Sequence, residues 1–137
     1  MTGLLLDTHA LVWFFEGAGL GDAAKAAIDQ AWSVGDDIFV SPISAWEIGM
    51  LTAKGRLKLS TRPERWMSRL LANPGVQLAD MSPALLIDAS YLPAPLHKDP
   101  ADRILVATAR HHDLTLITRD RALLAYAKAG HLRAAAC

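Results

Sequence analysis

Residues 4–11 read Leu4-Leu5-Leu6-Asp7-Thr8-His9-Ala10-Leu11. Three leucines in a row show no alternation. A strand of this kind is covered on both faces, as strands of a parallel sheet flanked by helices are. The run stops at an acid and a helical stretch begins. The same order returns at Leu114-Thr115-Leu116-Ile117-Thr118-Arg119-Asp120, and Ile38-Phe39-Val40 runs into the helix start Ser41-Pro42. Outward from these stretches, strands are expected at 3–6, 38–40, 76–79 and 114–118, with a weak one at 131–135. Helices are expected at about 10–16, 22–34, 42–54, 63–72, 83–91, 100–112 and 121–129. Alternating strands and helices predict an α/β fold, a three-layer sandwich whose mainly parallel central sheet of about five strands is flanked by helices.

The helix starts are marked by proline. Pro42, Pro63, Pro83 and Pro100 suit a first helical position, where the missing N–H costs nothing, and Ser41, Ser82 and Asp99 precede three of them as N-caps. Residues 92–97, with Pro93 and Pro95, read as an irregular loop. No repeat or long linker divides the 137 residues, so residues 1–137 are expected to form a single domain.

Bulk charge predicts no partner, because 14 Lys plus Arg balance 14 Asp plus Glu. Charge is uneven along the chain. Residues 54–69 hold Lys54, Arg56, Lys58, Arg62, Arg65 and Arg69 against Glu64 alone, a stretch able to follow a phosphate backbone or simply to form a solvated helix face. The only cysteine, Cys137, excludes an internal disulfide and a zinc site built on two thiolates. No apolar run approaches the ~20 residues of a membrane span, and no basic leader opens the chain, so a soluble cytoplasmic protein is expected.

Four carboxylates sit where apolar runs give way to turns or helix starts: Asp7, Glu47, Asp102 and Asp120. In a parallel α/β sheet such positions meet at the carboxyl edge of the strands. Asp7 and Asp120 could each serve as a helix N-cap instead. Glu47 is the only acid on the stripe Ile43, Trp46, Glu47, Met50 and Leu51, so burial of that stripe would demand a partner or a cation. In Asp99-Pro100-Ala101-Asp102, Asp99 suits the cap. Asp102 prolongs the inward stripe Leu105, Val106 and Ala109. Carboxylates gathered at one edge repel each other unless a cation holds them, and oxygen ligands suit Mg²⁺ or Mn²⁺.

Other motifs are weaker. His9, His97, His111, His112 and His131 lack the H-E-x-x-H spacing of a zinc protease, and neither a P-loop nor a G-x-S-x-G elbow occurs. Trp13, Trp32, Trp46 and Trp66 fall at core spacing on helical stretches and read first as packing. In Trp13-Phe14-Phe15, three adjacent aromatics cannot share one helix face, so part of that surface is expected to meet a partner chain.

The chain resembles the PIN-domain ribonucleases of the VapC toxin type over nearly its whole length. The resemblance rests on the Leu4–Leu11 block and on Ser41-Pro42-Ile43-Ser44-Ala45-Trp46-Glu47-Ile48. It continues through Lys54-Gly55-Arg56-Leu57, His97-Lys98-Asp99-Pro100-Ala101-Asp102-Arg103 and Leu116-Ile117-Thr118-Arg119-Asp120. It implies a PIN-like fold in which Asp7, Glu47, Asp102 and Asp120 match the family's acidic quartet. Asp99 and Thr118 match accessory positions, and Thr8 and Ser44 stand in the matching blocks as further accessory residues. It also implies Mg²⁺- or Mn²⁺-dependent endoribonuclease activity on RNA, a homodimer, and inhibition by a cognate antitoxin. Ala101 departs from the pattern, because many relatives carry an aromatic there.

The chemistry expected is metal-assisted phosphodiester hydrolysis by water, leaving a 5′-phosphate and a 3′-hydroxyl. Asp7 and Asp102 are read as the direct ligands, with Glu47 and Asp120 ligating directly or through water. Arg103, Arg119, Arg121, Lys54 and Arg56 are the expected contacts to substrate phosphates. The rivals are a catalytically silent module that binds RNA or antitoxin, and another metal-dependent phosphohydrolase such as a DNA nuclease. Clustered anions gain a pure phosphate-binding surface nothing. Asp7-Thr8-His9 lacks the Asp-x-Asp that would favour a phosphatase.

Overall fold

The computed structural model describes residues 3–137. Among them five strands alternate with seven helices: β1 (Leu4–Leu6), α1 (Thr8–Glu16), α2 (Asp22–Ser33), β2 (Ile38–Val40), α3 (Pro42–Ala53), α4 (Pro63–Leu71), β3 (Val76–Leu78), α5 (Pro83–Asp88), α6 (Pro100–His111), β4 (Thr115–Thr118), α7 (Arg121–Lys128) and β5 (Ala134–Ala136). The strands form one sheet in the order β3-β2-β1-β4-β5, and every pairing is parallel. Leu5 pairs with Phe39 on one side and Leu116 on the other. The chain thus winds outward in both directions from β1, and the crevice between β1 and β4 is the switch point where α/β proteins build sites.

Both faces of the sheet are covered, as the unbroken leucines of β1 require. On one face Leu4, Leu6, Ile38, Val40, Val76 and Ile117 pack with Leu11, Ile28, Ile48, Trp66 and Leu70 of α1 to α4. On the other, Leu5 and Leu116 pack with Leu105, Val106, Leu123 and Tyr126 of α6 and α7.

Ser41, Ser82 and Asp99 do cap α3, α5 and α6, accepting from Ile43 N, Leu85 N and Asp102 N. Two expectations are corrected. The inward face of α3 is Ser44 and Ile48, both buried, whereas Trp46 is 58% exposed. Nearly every position of α3 is apolar or small, so periodicity had little contrast from which to choose a face. The last strand lies further along than expected, because its parallel ladder on β4 pairs Leu116 with Ala134 and Thr118 with Ala136. Backbone bonds define that edge, including Leu116 N to Arg133 O at 2.9 Å and Cys137 N to Thr118 O at 3.1 Å. At Trp13-Phe14-Phe15 each ring is half-buried against its own chain, and the other half of each remains available to a partner. Phe14 meets Phe15 edge-on at 4.8 Å and Trp32 at 5.6 Å, and the guanidinium of Arg119 lies 4.0 Å over the ring of Trp13.

Among the described residues no helix is long and apolar enough to cross a membrane.

Candidate active site

Because all strands point one way, the residues that follow β1, β2 and β4 share one edge. α6 joins them from the opposite direction. It ends just before β4 begins, so its start lies about 18 Å back toward the carboxyl edge. Asp7, Thr8, Ser44, Glu47, Asp99, Asp102, Thr118 and Asp120 are brought together there by topology alone.

Asp7 is both a cap and a member of the cluster. Its Oδ1 accepts from Ala10 N at 2.8 Å and its Oδ2 accepts from Thr118 Oγ1 at 2.5 Å. Thr118 is fully buried and also accepts from Asp120 N at 3.1 Å, so one hydroxyl locks the end of β1 to the end of β4. Asp120 caps α7 through Leu123 N at 3.0 Å. Its second carboxylate oxygen has no hydrogen-bond partner among the described residues.

On the other flank, Thr8 lies between two residues of α3. Its hydroxyl donates to Glu47 Oε1 in a very short bond and sits 2.9 Å from Ser44 Oγ. Thr8 has one proton, given to Glu47, so Ser44 is the donor in the second contact. Thr8 of α1 and Ser44 of α3 are both buried, and each hydroxyl finds its partner in this chain of bonds, as buried polar groups must.

The electrostatics are those of an anion cluster. Burial raises the carboxyl of Asp7, against the opposing bonds from Thr118 and Ala10, and Asp120 adds to the rise. Burial also raises Glu47, with Thr8 opposing and Asp99 and Asp7 reinforcing. Asp102 is pushed up to about 7, first by burial and then by Asp99, Asp120, Glu47 and Asp7 in turn. A carboxyl that senses every other acid of the group lies at its electrostatic centre. The donor set is oxygen-rich, which fits a hard divalent cation, and a cation here would reverse the repulsion that raises Asp102.

Among the described residues one compact group of potential ligand atoms joins His97 to two of the expected acids. One atom each from His97, Asp102 and Asp120 lie within 4.8 Å of one another, whereas Asp7 already uses both oxygens in hydrogen bonds. Sequence reasoning considered His97 only as a zinc-protease ligand. The signal available was its place at the head of the His97–Arg103 block.

Two of the basic residues expected near substrate are tied to backbone carbonyls of the chain itself. Arg103 donates Nε to Ala89 O at 2.8 Å and Nη1 to Leu96 O and His97 O at 3.3 and 3.2 Å, so it clamps the loop before α6 instead of facing solvent. Arg119 donates to Cys137 O at 2.8 Å and Gly19 O at 2.6 Å while stacking on Trp13. Arg121, Lys54 and Arg56 are exposed. Lys54 and Arg56 lie beyond the end of α3, about two turns past Glu47, on a loop tied down by Glu16. The Glu16 carboxylate accepts from Ser60 N at 2.8 Å, Ser60 Oγ at 2.9 Å and Trp66 Nε1 at 3.2 Å.

Residues 4–129 match the family model described as PIN domain. Over 124 residues the chain is 35% identical to Ribonuclease VapC22 of Mycobacterium tuberculosis, covering 90% of this chain and 91% of the relative. Among solved structures it is similar to a chain of VapBC2 from Rickettsia felis bound to a DNA fragment from its promoter, with a TM-score of 0.69, 16% identity and 98% of each chain covered. It is also similar to a chain of FitAcB from Neisseria gonorrhoeae, with a TM-score of 0.57, 20% identity and 96% and 95% covered. These two likenesses speak to the fold.

Proposed function

The chain belongs to the PIN-domain family, and from that premise we propose that it is a Mg²⁺- or Mn²⁺-dependent endoribonuclease, the toxin of a toxin–antitoxin pair working in the cytoplasm. The observation that carries this reading is Asp102, pushed up to about 7 by burial and by four neighbouring acids. Such a cluster is costly as a bare surface and becomes favourable around a cation.

Asp102, Asp120 and Asp7 would hold the ion directly and Glu47 through the water it orients, with Asp99 left to cap α6. The bound cation would lower the pKa of a water and offset charge on the phosphate. The chain's own residues supply the rest. Thr118 and Ala10 hold the Asp7 carboxylate in one orientation, and Thr8 fixes one oxygen of Glu47. Burial raises Glu47, so its other oxygen suits accepting the proton of the attacking water. Attack at phosphorus breaks the bond to the 3′-oxygen, which takes a proton from solvent, leaving a 5′-phosphate and a 3′-hydroxyl.

RNA, a cognate antitoxin and a second copy of the chain are the partners this reading assigns. Exposed Lys54, Arg56 and Arg121 would contact RNA phosphates. The test is incubation of the antitoxin-free protein with total RNA, with single-stranded DNA of matched sequence as control. Cleavage of RNA with Mg²⁺ or Mn²⁺, its loss with chelator and its loss in Asp102→Asn are expected. Cleavage undiminished by chelator would overturn the proposal, and equal cleavage of DNA would make the protein a general nuclease.

A further inference from the structure

His97 stands beside Asp102 with Nε2 3.3 Å from Oδ2. Its other ring nitrogen, Nδ1, lies 3.3 Å from the backbone N–H of Asp99 and can only accept there. We propose that His97 is a positioning residue, donating Nε2–H to Asp102 Oδ2 so that the carboxylate offers its other oxygen to the cation, and that it is not itself a ligand. The proposal rests on the metal-dependent reading above.

The argument is one of proton count. A neutral imidazole carries one N–H, and an accepting Nδ1 places that proton on Nε2. Ligation through Nε2 would move the proton to Nδ1, where it would face the Asp99 N–H donor to donor. The compact triangle of His97, Asp102 and Asp120 therefore resembles a three-ligand site but has one corner occupied by hydrogen. Imidazole N–H groups commonly orient ligating carboxylates in this way.

The loop that carries the ring is held in place. Arg103 holds the carbonyls of Leu96 and His97 through Nη1 and reaches Ala89 O through Nε. The Asp99 N–H that faces Nδ1 belongs to the cap of α6, whose side chain is fixed by Asp102 N at 3.0 Å. Two anchors, one on the loop and one on the helix start, thus aim the imidazole at Asp102. This also gives Arg103 a purpose that its place in the sequence concealed. The consequence is an all-oxygen shell, which suits Mg²⁺ or Mn²⁺ and forgoes the nitrogen that Zn²⁺ or Ni²⁺ would favour.

The experiment uses the full chain loaded with Mn²⁺ and labelled with ¹⁵N-histidine. Pulsed electron paramagnetic resonance should show no hyperfine coupling from a directly bonded imidazole nitrogen, and such a coupling would overturn the proposal. Mn²⁺ titration then compares variants whose melting confirms a folded chain. His97→Leu should weaken Mn²⁺ binding about tenfold, while His97→Gln, which keeps an N–H donor at the same reach, should stay within about threefold of the parent. Equal loss in both variants, or no loss in His97→Leu, would remove the positioning role. If the parent protein binds no Mn²⁺, or Asp102→Asn binds it equally well, the metal-dependent reading itself fails and the proposal with it.

Discussion

Replacing Asp102 by Asn should stabilise the metal-free protein, by an amount that grows with pH. The Asp102 carboxyl rises from 3.8 to about 7 on folding. Between those values the native state holds a proton that the unfolded chain has lost, so the stability contributed by that proton declines as pH rises. Each unit is worth about 1.4 kcal/mol, which makes the full cost at about pH 8 roughly 4 kcal/mol and the cost at about pH 5 roughly 1.5 kcal/mol. The Asp102 side chain is only 22% exposed, so solvent removes little of this. Asn has no charge to bury and keeps an oxygen to accept from His97. Asp7 and Glu47, also raised, add slopes of the same sign to both proteins. From about pH 5 to about pH 8 in chelator, the variant should therefore gain about 2.5 kcal/mol on the parent, or roughly 8–10 °C in Tm for a chain of this size. Thermal melting followed by circular dichroism across that range reads the difference directly. Saturating Mg²⁺ should raise the parent and not the variant, by about 2.7 kcal/mol at a hundred times its Kd. A stability difference that stays constant with pH, or a variant less stable than the parent at the alkaline end, would refute the account of Asp102 as the centre of an anion cluster.

Thr118→Val keeps shape and burial but removes the hydroxyl shared by Asp7 and Asp120 N; denaturant melts should show a loss of about 1–3 kcal/mol, with RNA cleavage reduced. Arg119→Ala should lower stability by about 1–3 kcal/mol, because it frees Gly19 O, Cys137 O and the face of Trp13, while RNA affinity and its salt slope stay unchanged; a phosphate-binding Arg119 would show the reverse pattern in filter binding against salt. Reversing Lys54, Arg56 and Lys58 to Glu in a cleavage-dead background should weaken RNA binding and flatten its salt dependence by about one unit of slope per lost phosphate contact, with Mn²⁺ affinity unchanged. Gly75→Ala places a methyl group against the indole of Trp32, whose Nε1 donates to Gly75 O at 2.8 Å, and should cost about 1–3 kcal/mol by chemical denaturation.

Much of this protein is written locally. Leu4-Leu5-Leu6 can be a strand only where both faces are covered, and Ser41-Pro42, Ser82-Pro83 and Asp99-Pro100 start helices by satisfying or omitting their own N–H groups. Such features depend on neighbours along the chain, so they survive reading one residue at a time. The placing of Asp7 and Asp120 follows from them almost mechanically, because acids after parallel strands have one edge to share. Tertiary structure decided what the chain's order does not encode. α3 turns Ser44 and Ile48 inward and Trp46 outward, since docking against α1 and α6 chose among nearly equal faces. β5 forms because β4 offers an open backbone edge, which three alanines accept without advertising it. Arg103 and Arg119 clamp backbone carbonyls of neighbouring loops, a role that their charge alone did not reveal. His97 gained its role from an Asp99 N–H on one side and an Asp102 oxygen on the other. Propensity and periodicity report what a segment can form, while the partner of each polar atom is settled only when the segments meet.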